Sequence, residues 1–235
     1  FYDDREQAIG SLTFNVAEYR KPEFQTLVSA SPENVLQGDS FTATVQTDYY
    51  SGGSVSDAEV GWRLISEPFY FTPPADFSSY SFQDIDEDVH ISEEDDEGRS
   101  QVIAEGKGAT DASGRFSRQL KADLSAFKTS RQFTFEADVT DLAGAYVSGR
   151  AVVVAHKSAV YPGVKPQTYV GQQGKLQSFD IVALDWEGKA LSNQPLSVEI
   201  VERRWYSVQE QDPSGKVSWK SSVEDIPVKS FPDLM

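Results

Sequence analysis

Apolar and polar residues alternate along most of this chain. The clearest stretches are two runs in which every second residue is apolar or small: Phe41, Ala43, Val45 and Thr47, and later Phe133, Phe135, Ala137 and Val139. Successive side chains of an extended strand point to opposite faces, so each run predicts a strand with one buried and one solvated face. The only short helical candidate is 122–128. We therefore predict an all-β chain built from antiparallel β-sandwiches of the immunoglobulin or fibronectin type.

Turn signals separate these runs. The motif D-x-x-G occurs at four such places: 111–114, 141–144, 185–188 and 212–215. An aspartate can accept a hydrogen bond from the backbone two residues on, and glycine adopts the positive φ that closes a hairpin. Four such motifs between alternating runs strengthen the all-β prediction.

The chain also contains an internal repeat with a period of 136 positions. The shift superimposes glycines and keeps the apolar phase across a turn: Gly38 falls on Gly174, Val45 on Ile181, Gly52 on Gly188, Val55 on Leu191, Val60 on Leu196, Trp62 on Val198, Leu64 on Ile200 and Ile65 on Val201. A chance alignment rarely preserves phase in this way. We interpret the chain as two copies of one sandwich.

The repeat defines the predicted domains. Residues 1–18 read as the terminal strand of a preceding domain plus a linker, 19–157 as the first sandwich and 158–235 as a second sandwich that is incomplete at its C-terminal end. Aligning Asp212 with Asp111 leaves about 35 extra residues in the first copy, an acidic insertion at about 67–102. On the same alignment, the second copy lacks its last hairpin. The chain therefore reads as a fragment of a longer array.

Composition excludes several function classes. The chain has 235 residues, a formal net charge of −16 and a pI near 4.5, which argue against nucleic acid and anionic membranes as partners. It has no cysteine, so disulfides, thiolate metal sites and a cysteine nucleophile are excluded within it. We find no apolar run of about 18 residues, no signal peptide and no lipidation motif in this stretch.

An acidic run lies within the insertion. Nine carboxylates fall between positions 84 and 97 with no Lys or Arg among them. Asp84, Asp86 and Asp88 have the spacing of a calcium loop, but Val89 stands where the sharp turn needs glycine and Asp95 where a bidentate glutamate is usual. Three interpretations stay open: a solvated mobile loop, a docking or protease-accessible segment, and a calcium site.

Candidate chemistry is sparse. His90 and His156 are the only histidines, and no zinc-protease, nucleophile-elbow or phosphate-loop motif is present. The segment 106–108, Gly-Lys-Gly, lacks the third glycine of a phosphate-binding loop and is expected to be an ordinary loop before a turn. We therefore predict no enzyme activity, and no catalytic, cofactor-binding or metal-binding residue.

Four tryptophans are the other candidates for a binding role. Trp62 lies on an alternating run and is expected in the core, whereas Trp186 lies inside a D-x-x-G turn and is expected to be exposed or packed on a neighbouring domain. Trp205, Tyr206 and Trp219 lie in the incomplete copy, so an exposed aromatic patch there is expected to face the missing hairpin.

The segment 14–24, which reads F-N-V-A-E-Y-R-K-P-E-F, contains a strand, a charged bridge and Pro22, which cannot continue a central ladder. It resembles the joint between successive macroglobulin domains of bacterial alpha-2-macroglobulins. Other segments resemble that family in the same order: Gly38-Asp39, 45–55, Ala58-x-Val60-x-Trp62, 133–144, Tyr161-x-Gly163-Val164-x-Pro166 and Phe179-Asp180-x-Val182-Ala183. The resemblance spans nearly the whole chain outside the acidic insertion.

The resemblance implies tandem macroglobulin-like domains that serve as non-catalytic structure in a broad-spectrum, protease-trapping inhibitor. Its partners would be neighbouring macroglobulin-like domains and, for the full-length protein, target proteases. A periplasmic location, with anchoring at the inner membrane through an upstream lipoprotein signal, is likewise implied by the family alone. The family's thioester needs a cysteine, so it cannot lie in this stretch. The alternative is an adhesin-like or carbohydrate-binding sandwich array of a cell-surface protein, in which Trp186 or Trp205 would stack on a ligand.

Overall fold

The computed structural model describes residues 23–83, 100–211 and 217–234. It confirms the all-β prediction, with twelve strands and one 3-10 turn, Ala75–Phe77, in the described part. The chain divides into two compact units. Of the described residues, 23–69 and 100–157 form the first unit, and 70–83 with the residues from 158 onward form the second.

The first unit is a sandwich of two sheets. The smaller sheet is antiparallel and contains β1 (Phe24–Ser31), β3 (Ser40–Tyr49) and β6 (Arg115–Lys121), with β3 in the centre. The larger sheet has the order β2-β8-β7-β4-β5; these strands are β2 (Asn34–Leu36), β4 (Glu59–Pro68), β5 (Gln101–Ala109), β7 (Arg131–Thr140) and β8 (Tyr146–His156). Short β2 pairs parallel to β8, and the other pairs are antiparallel.

The core forms where the inward faces of the two sheets meet. Burial alternates along β3 and β7 as the sequence predicts. Phe41 of β3 lies 6.2 Å from Phe133 of β7, ring centroid to ring centroid, so aromatic side chains join the two sheets. Trp62 is buried and stacks on Phe135 at 5.6 Å, which confirms its predicted core position. Each such side chain contributes about 2–3 kcal/mol through burial.

The segment 106–108 corrects one expectation, because it lies inside strand β5 and is not a loop. A Cβ on Gly106 would stand 2.8 Å from the Trp62 ring, and a Cβ on Gly108 would stand 2.3 Å from the Phe116 ring. Both glycines therefore leave room for aromatic rings that cover the strand. The glycine pattern reflects packing rather than phosphate binding.

Three of the four D-x-x-G motifs form the predicted turns. In the turn at Asp111, the carboxylate accepts hydrogen bonds from the amides of Ser113 and Arg115 at 2.8 and 3.0 Å. The turns at Asp141 and Asp185 repeat this arrangement, and the glycine of each has a positive φ between 72° and 83°. The fourth motif, 212–215, lies outside the described residues. The helical candidate at 122–128 is irregular and contains a turn.

The second unit contains two antiparallel strand pairs. β9 (Tyr161–Pro166) pairs with β10 (Phe179–Leu184), and the long strands β11 (Leu196–Gln211) and β12 (Val217–Leu234) form a two-stranded ribbon. Residues 70–83, hereafter the strap, also belong to this unit. Ser81 of the strap forms an isolated bridge with Val164 of β9.

The 136-residue repeat holds at the level of strand register. In the first unit Gln25 pairs with Asp48 and Ala30 with Ala43. In the second unit the residues 136 positions later pair in the same way: Tyr161 with Leu184 and Pro166 with Phe179. The isolated bridges Asp48↔Ser54 and Leu184↔Ala190 obey the same shift. β1–β3 and β9–β10 are therefore two copies of one hairpin-like pair.

The structure revises two details of the alignment. The shift places β11 on β4, and β12 then pairs with β11 as β5 pairs with β4. Asp212 therefore follows the counterpart of β4, not the counterpart of β5, and equating it with Asp111 was wrong. Among the described residues, the second unit has no counterparts of β6, β7 and β8. In addition, 70–83, counted above with the first sandwich, pack on the second unit.

Candidate functional site: interaction surfaces

Titratable side chains do not converge on a chemical centre in the part of the chain that the structure describes. Within 23–83, 100–211 and 217–234, no group of three His, Asp or Glu side chains is placed to hold a metal ion. The segment with Asp84, Asp86, Asp88 and His90 lies outside the described residues, as does the bridge 18–22. The calcium and joint predictions therefore stay predictions.

An open groove of about 480 Å³ lies between β1 and β8 of the first unit. Its lining is mostly aliphatic and small: Val28, Ser29, Ala30, Glu33, Asn34, Ala151, Val152 and Val154. Glu33 is the one ionisable side chain in this lining.

His156 is a buried structural histidine. It ends β8 with 1% of its surface exposed, and its Nε2 lies 2.9 Å from Oδ1 of Asn34 in β2. The ring of Phe69 meets it edge-on at 5.6 Å. Burial lowers the pKa of His156 to about 4, so the imidazole is neutral near pH 7. It therefore serves packing and hydrogen bonding rather than proton transfer.

Ser130 is hydrogen-bonded to both residues at which the chain leaves the first unit. Its carbonyl oxygen accepts a hydrogen bond from the amide of Phe69 at 3.0 Å. Its hydroxyl oxygen accepts another from the amide of Lys157, also at 3.0 Å. One residue therefore fixes the last residue before the strap and the last residue before the second unit.

Charged side chains reinforce this end of the first unit. The Lys157 ammonium donates to the carbonyl oxygens of Leu124 and Phe127 at 2.8 and 2.5 Å. Arg131 is buried, donates from Nε to the Ser66 hydroxyl at 2.8 Å and lies over the Phe127 ring at 4.4 Å. A buried cation must be satisfied by such partners, and these contacts hold Arg131 in place at this end of the unit.

The strap contacts β9 through both backbone and side chains. Ser81 and Val164 exchange hydrogen bonds, at 2.8 Å from the Ser81 amide and 3.0 Å from the Val164 amide. The Phe71 ring stacks on Tyr161 with centroids 4.3 Å apart and 12° between planes. Phe82 meets Phe71 edge-on at 5.3 Å. The strap thus lies on the edge of β9 that does not pair with β10.

The ribbon of β11 and β12 carries an exposed aromatic face. Trp205 is 53% exposed and Trp219 is 71% exposed. Trp205 pairs with Val223, and Trp219 pairs with Gln209, four residues after Trp205. Residues an even number apart point to the same side of a strand, so both indoles lie on one face. A two-stranded ribbon alone is marginal in water, so this exposed aromatic face is a candidate interaction surface.

An ion pair stabilises the centre of the ribbon. Arg203 donates to both carboxylate oxygens of Asp225, its cross-strand partner, at 2.7 and 2.6 Å. This hydrogen bonding lowers the pKa of Asp225. The Arg203 guanidinium also lies 5.8 Å from the Trp205 ring. The pair and the indole lie on the same face, which therefore combines apolar area with a fixed polar patch.

No protein-family model matches the sequence. Among curated proteins, circularly permutated Ras protein 2 of Dictyostelium discoideum is 23% identical over 156 residues, which are 66% of this chain and 4% of that protein. The similarity is too low and too short to carry an argument about function.

Solved structures give a clearer result. The native conformation of E. coli alpha-2-macroglobulin matches 94% of this chain with a TM-score of 0.62 and 17% sequence identity. The fold is macroglobulin-like. Salmonella alpha-2-macroglobulin reacted with methylamine matches with a TM-score of 0.61, also at 17% identity, and E. coli alpha-2-macroglobulin activated by porcine elastase with 0.57 at 18%. They are matched over 94% and 92% of this chain. This macroglobulin-like chain spans 14% to 20% of the length of these proteins.

Sequence reasoning located the tryptophans of this macroglobulin-like chain better than its polar contacts. Trp62 is in the core, Trp186 is half-buried in its turn, and Trp205, Tyr206 and Trp219 are exposed. It missed Ser130, Arg131 and Lys157. Arg131 had a detectable signal, because it continues the inward phase of Phe133, Phe135 and Ala137. Ser130 and Lys157 act through backbone groups distant in sequence, and no local pattern marks them.

Proposed function

We propose that this chain is a non-catalytic structural segment of an alpha-2-macroglobulin-like protein that traps proteases. The observation that carries the proposal is the match of 94% of the chain to bacterial alpha-2-macroglobulin, which includes both units. The internal repeat supports it, since a repeated module suits an array of domains. The hydrogen-bonded exit at Ser130 suits a part that must keep its form while the whole molecule rearranges.

In this role the partners are neighbouring macroglobulin-like domains, and the targets of the whole protein are proteases. The exposed ribbon face with Trp205 and Trp219 is the surface that would meet such a neighbour. We further propose a periplasmic location with an inner-membrane anchor in a longer protein. Within the described residues, no helix is long and apolar enough to cross a membrane.

The test uses a longer protein that carries this chain. It is incubated with an active protease, and cleavage of a large protein substrate is compared with cleavage of a small peptide substrate. A trap protects the large substrate while the small one is still cleaved. The control is the same protease with its active site blocked before mixing, which should not be retained. Equal cleavage of the large substrate with and without the protein would overturn the proposal.

The second candidate is a carbohydrate-binding sandwich of a cell-surface protein. It is favoured by one observation, the pair of exposed indoles Trp205 and Trp219 on one ribbon face. Sugars bind by stacking on such aromatic platforms. A glycan-binding screen of this chain and its Trp219→Ser variant separates the candidates: binding lost in the variant supports the second role, and no binding by either supports the first.

A further inference from the structure

The strap is an irregular segment that contains the 3-10 turn Ala75–Phe77 and lies on the surface of the second unit. None of its residues, 70–83, is buried, and the aromatic residues that contact β9, Phe71, Tyr80 and Phe82, are half-buried. By contrast, the aromatic side chains of the first unit's core, such as Phe41 and Phe133, have almost no exposed surface. The strap is therefore docked on the unit and is not part of a core. Its two ends lead to β4 and β5 of the first unit.

The surface beneath the strap is shaped for aromatic and proline side chains. Gly163 is buried, and a Cβ on it would stand 2.5 Å from the ring of Phe82. Gly188 is buried as well, and a Cβ there would stand 2.5 Å from the Pro74 ring. Gly188 has φ of +83° and its turn requires glycine in any case. Gly163 has no such backbone requirement, so its small size is matched to Phe82.

The first copy of the module has a different residue at the position of Gly163. The residue 136 positions before Gly163 is Leu27, which occupies the equivalent place in β1. Its side chain is 70% exposed, and the first unit folds with it in that position. A leucine here is therefore compatible with the strand pair but would fill the space that the Phe82 ring occupies in the second unit. The glycine distinguishes the copy that binds the strap.

Two side-chain contacts, one near each end of the strap, further distinguish β9 from the equivalent strand of the first copy. Phe71 stacks on Tyr161, and the Lys165 ammonium lies 5.6 Å from the Tyr80 ring. The first copy has Gln25 at the position of Tyr161 and Ser29 at the position of Lys165. It therefore lacks the stacking partner and the cation as well as the glycine.

We propose that the strap is a detachable intramolecular ligand of the second unit. The binding site is the outer edge and face of β9, formed by Tyr161, Gly163, Val164 and Lys165 with Gly188. It accepts an irregular segment with an aromatic residue at each end and a proline between them. The inference does not depend on the protease-trapping proposal.

Hydrogen exchange of the whole chain tests the docking. The amides of Ser81 and Val164 are bonded to each other's carbonyls and should exchange slowly. Gly163→Leu, which installs the residue of the first copy, should speed the exchange of both at least tenfold while the β9–β10 ladder stays protected. Gly61→Ala is the matched control for a strand glycine, since a Cβ there meets nothing within 4 Å. Unchanged protection of both amides in Gly163→Leu would overturn the proposal.

Complementation tests whether the strap is a ligand rather than an integral element. Residues 70–83 are replaced by a flexible Gly/Ser segment of the same length, and a peptide with the sequence of residues 70–83 is added. The peptide should restore slow exchange of the Val164 amide with saturable dose dependence, and a peptide carrying Phe71→Ser and Phe82→Ser should not. Loss of the β9–β10 ladder in the replaced chain, or no effect of the native peptide, contradicts a detachable ligand.

Discussion

Acid should destabilise the first unit through one imidazole, that of His156. In the folded chain its pKa is about 4, because the ring is buried against Phe69 and Asn34. In the unfolded chain it returns to the ordinary value of about 6.5. Below that value the unfolded chain binds a proton that the folded chain excludes, so the free energy of unfolding falls as the pH drops. The loss begins near pH 6.5 and is complete near pH 4.

The size of the effect follows from the two pKa values. A difference between about 6.5 and about 4 corresponds to about 3 kcal/mol. Carboxylates contribute their own acid dependence: the Lys107 ammonium lowers the pKa of Glu59, and a hydrogen bond from the Ser113 hydroxyl lowers that of Asp111. Their stabilisation is present above their ordinary values and is lost at lower pH. They are common to all variants and cancel in a difference.

The assay compares the unchanged chain with His156→Gln, which cannot titrate in this range. Urea unfolding, followed through exchange of β7 amides, gives the free energy of unfolding of the first unit between pH 7.5 and 4. Relative to that of His156→Gln, the free energy of unfolding of the unchanged chain should fall by about 3 kcal/mol as the pH drops from 7.5 to 4. An NMR titration should show one imidazole with a pKa near 4. A constant difference across this range would refute the assignment.

Three further predictions concern packing and turns, each measured by chemical unfolding of the first unit. Leu64→Ala should cost about 2–5 kcal/mol because Leu64 is 2% exposed, whereas Leu142→Ala, at a position 90% exposed, should change stability by less than about 0.5 kcal/mol; equal effects would contradict the core assignment. Gly106→Ala should cost about 1–3 kcal/mol because its Cβ would meet the Trp62 ring, while Gly61→Ala should not, and a neutral Gly106→Ala would show that the ring can move away. Glu136→Gln breaks the exposed pair with Arg63 and should lower the stability of the first unit no more than Leu142→Ala does, so a clearly larger loss would mean that the pair is not solvated.

Local patterns predicted the strands and turns of this fold well. The alternation of apolar and polar residues located β3 and β7, because a strand with one buried face requires that pattern. The D-x-x-G motif located three turns, because one aspartate carboxylate accepts the hydrogen bonds that close each turn. The repeat was detectable for the same reason, since equal register requires similar apolar phase in both copies. The error at Asp212 has a related cause. The motif marks any hairpin turn and does not say which two strands it joins.

Contacts between distant segments were not predictable in this way. The sequence near 70–83 does not indicate that Phe71 stacks on Tyr161, ninety positions later. The contact depends on the tertiary fold, and no local pattern of apolar and polar residues reports it. The same holds for the bonds of Ser130 to Phe69 and Lys157, which use backbone amides that every residue possesses. Gly106 and Gly108 of β5 led to a wrong prediction of a loop, and the cause is again physical. Glycine marks a loop and a close ring contact equally, and only the position of Trp62 decides between them.

The most direct measurement of the proposed role is hydrogen exchange of a longer protein that carries this chain, before and after reaction with a protease. A structural segment should keep its internal ladders, so the amides of β3, β7 and the β9–β10 pair should remain protected in both states. Changes should be confined to the ribbon face with Trp205 and Trp219, where a neighbouring domain would pack. Loss of protection within β3 and β7, or no response anywhere in the chain, would contradict the account.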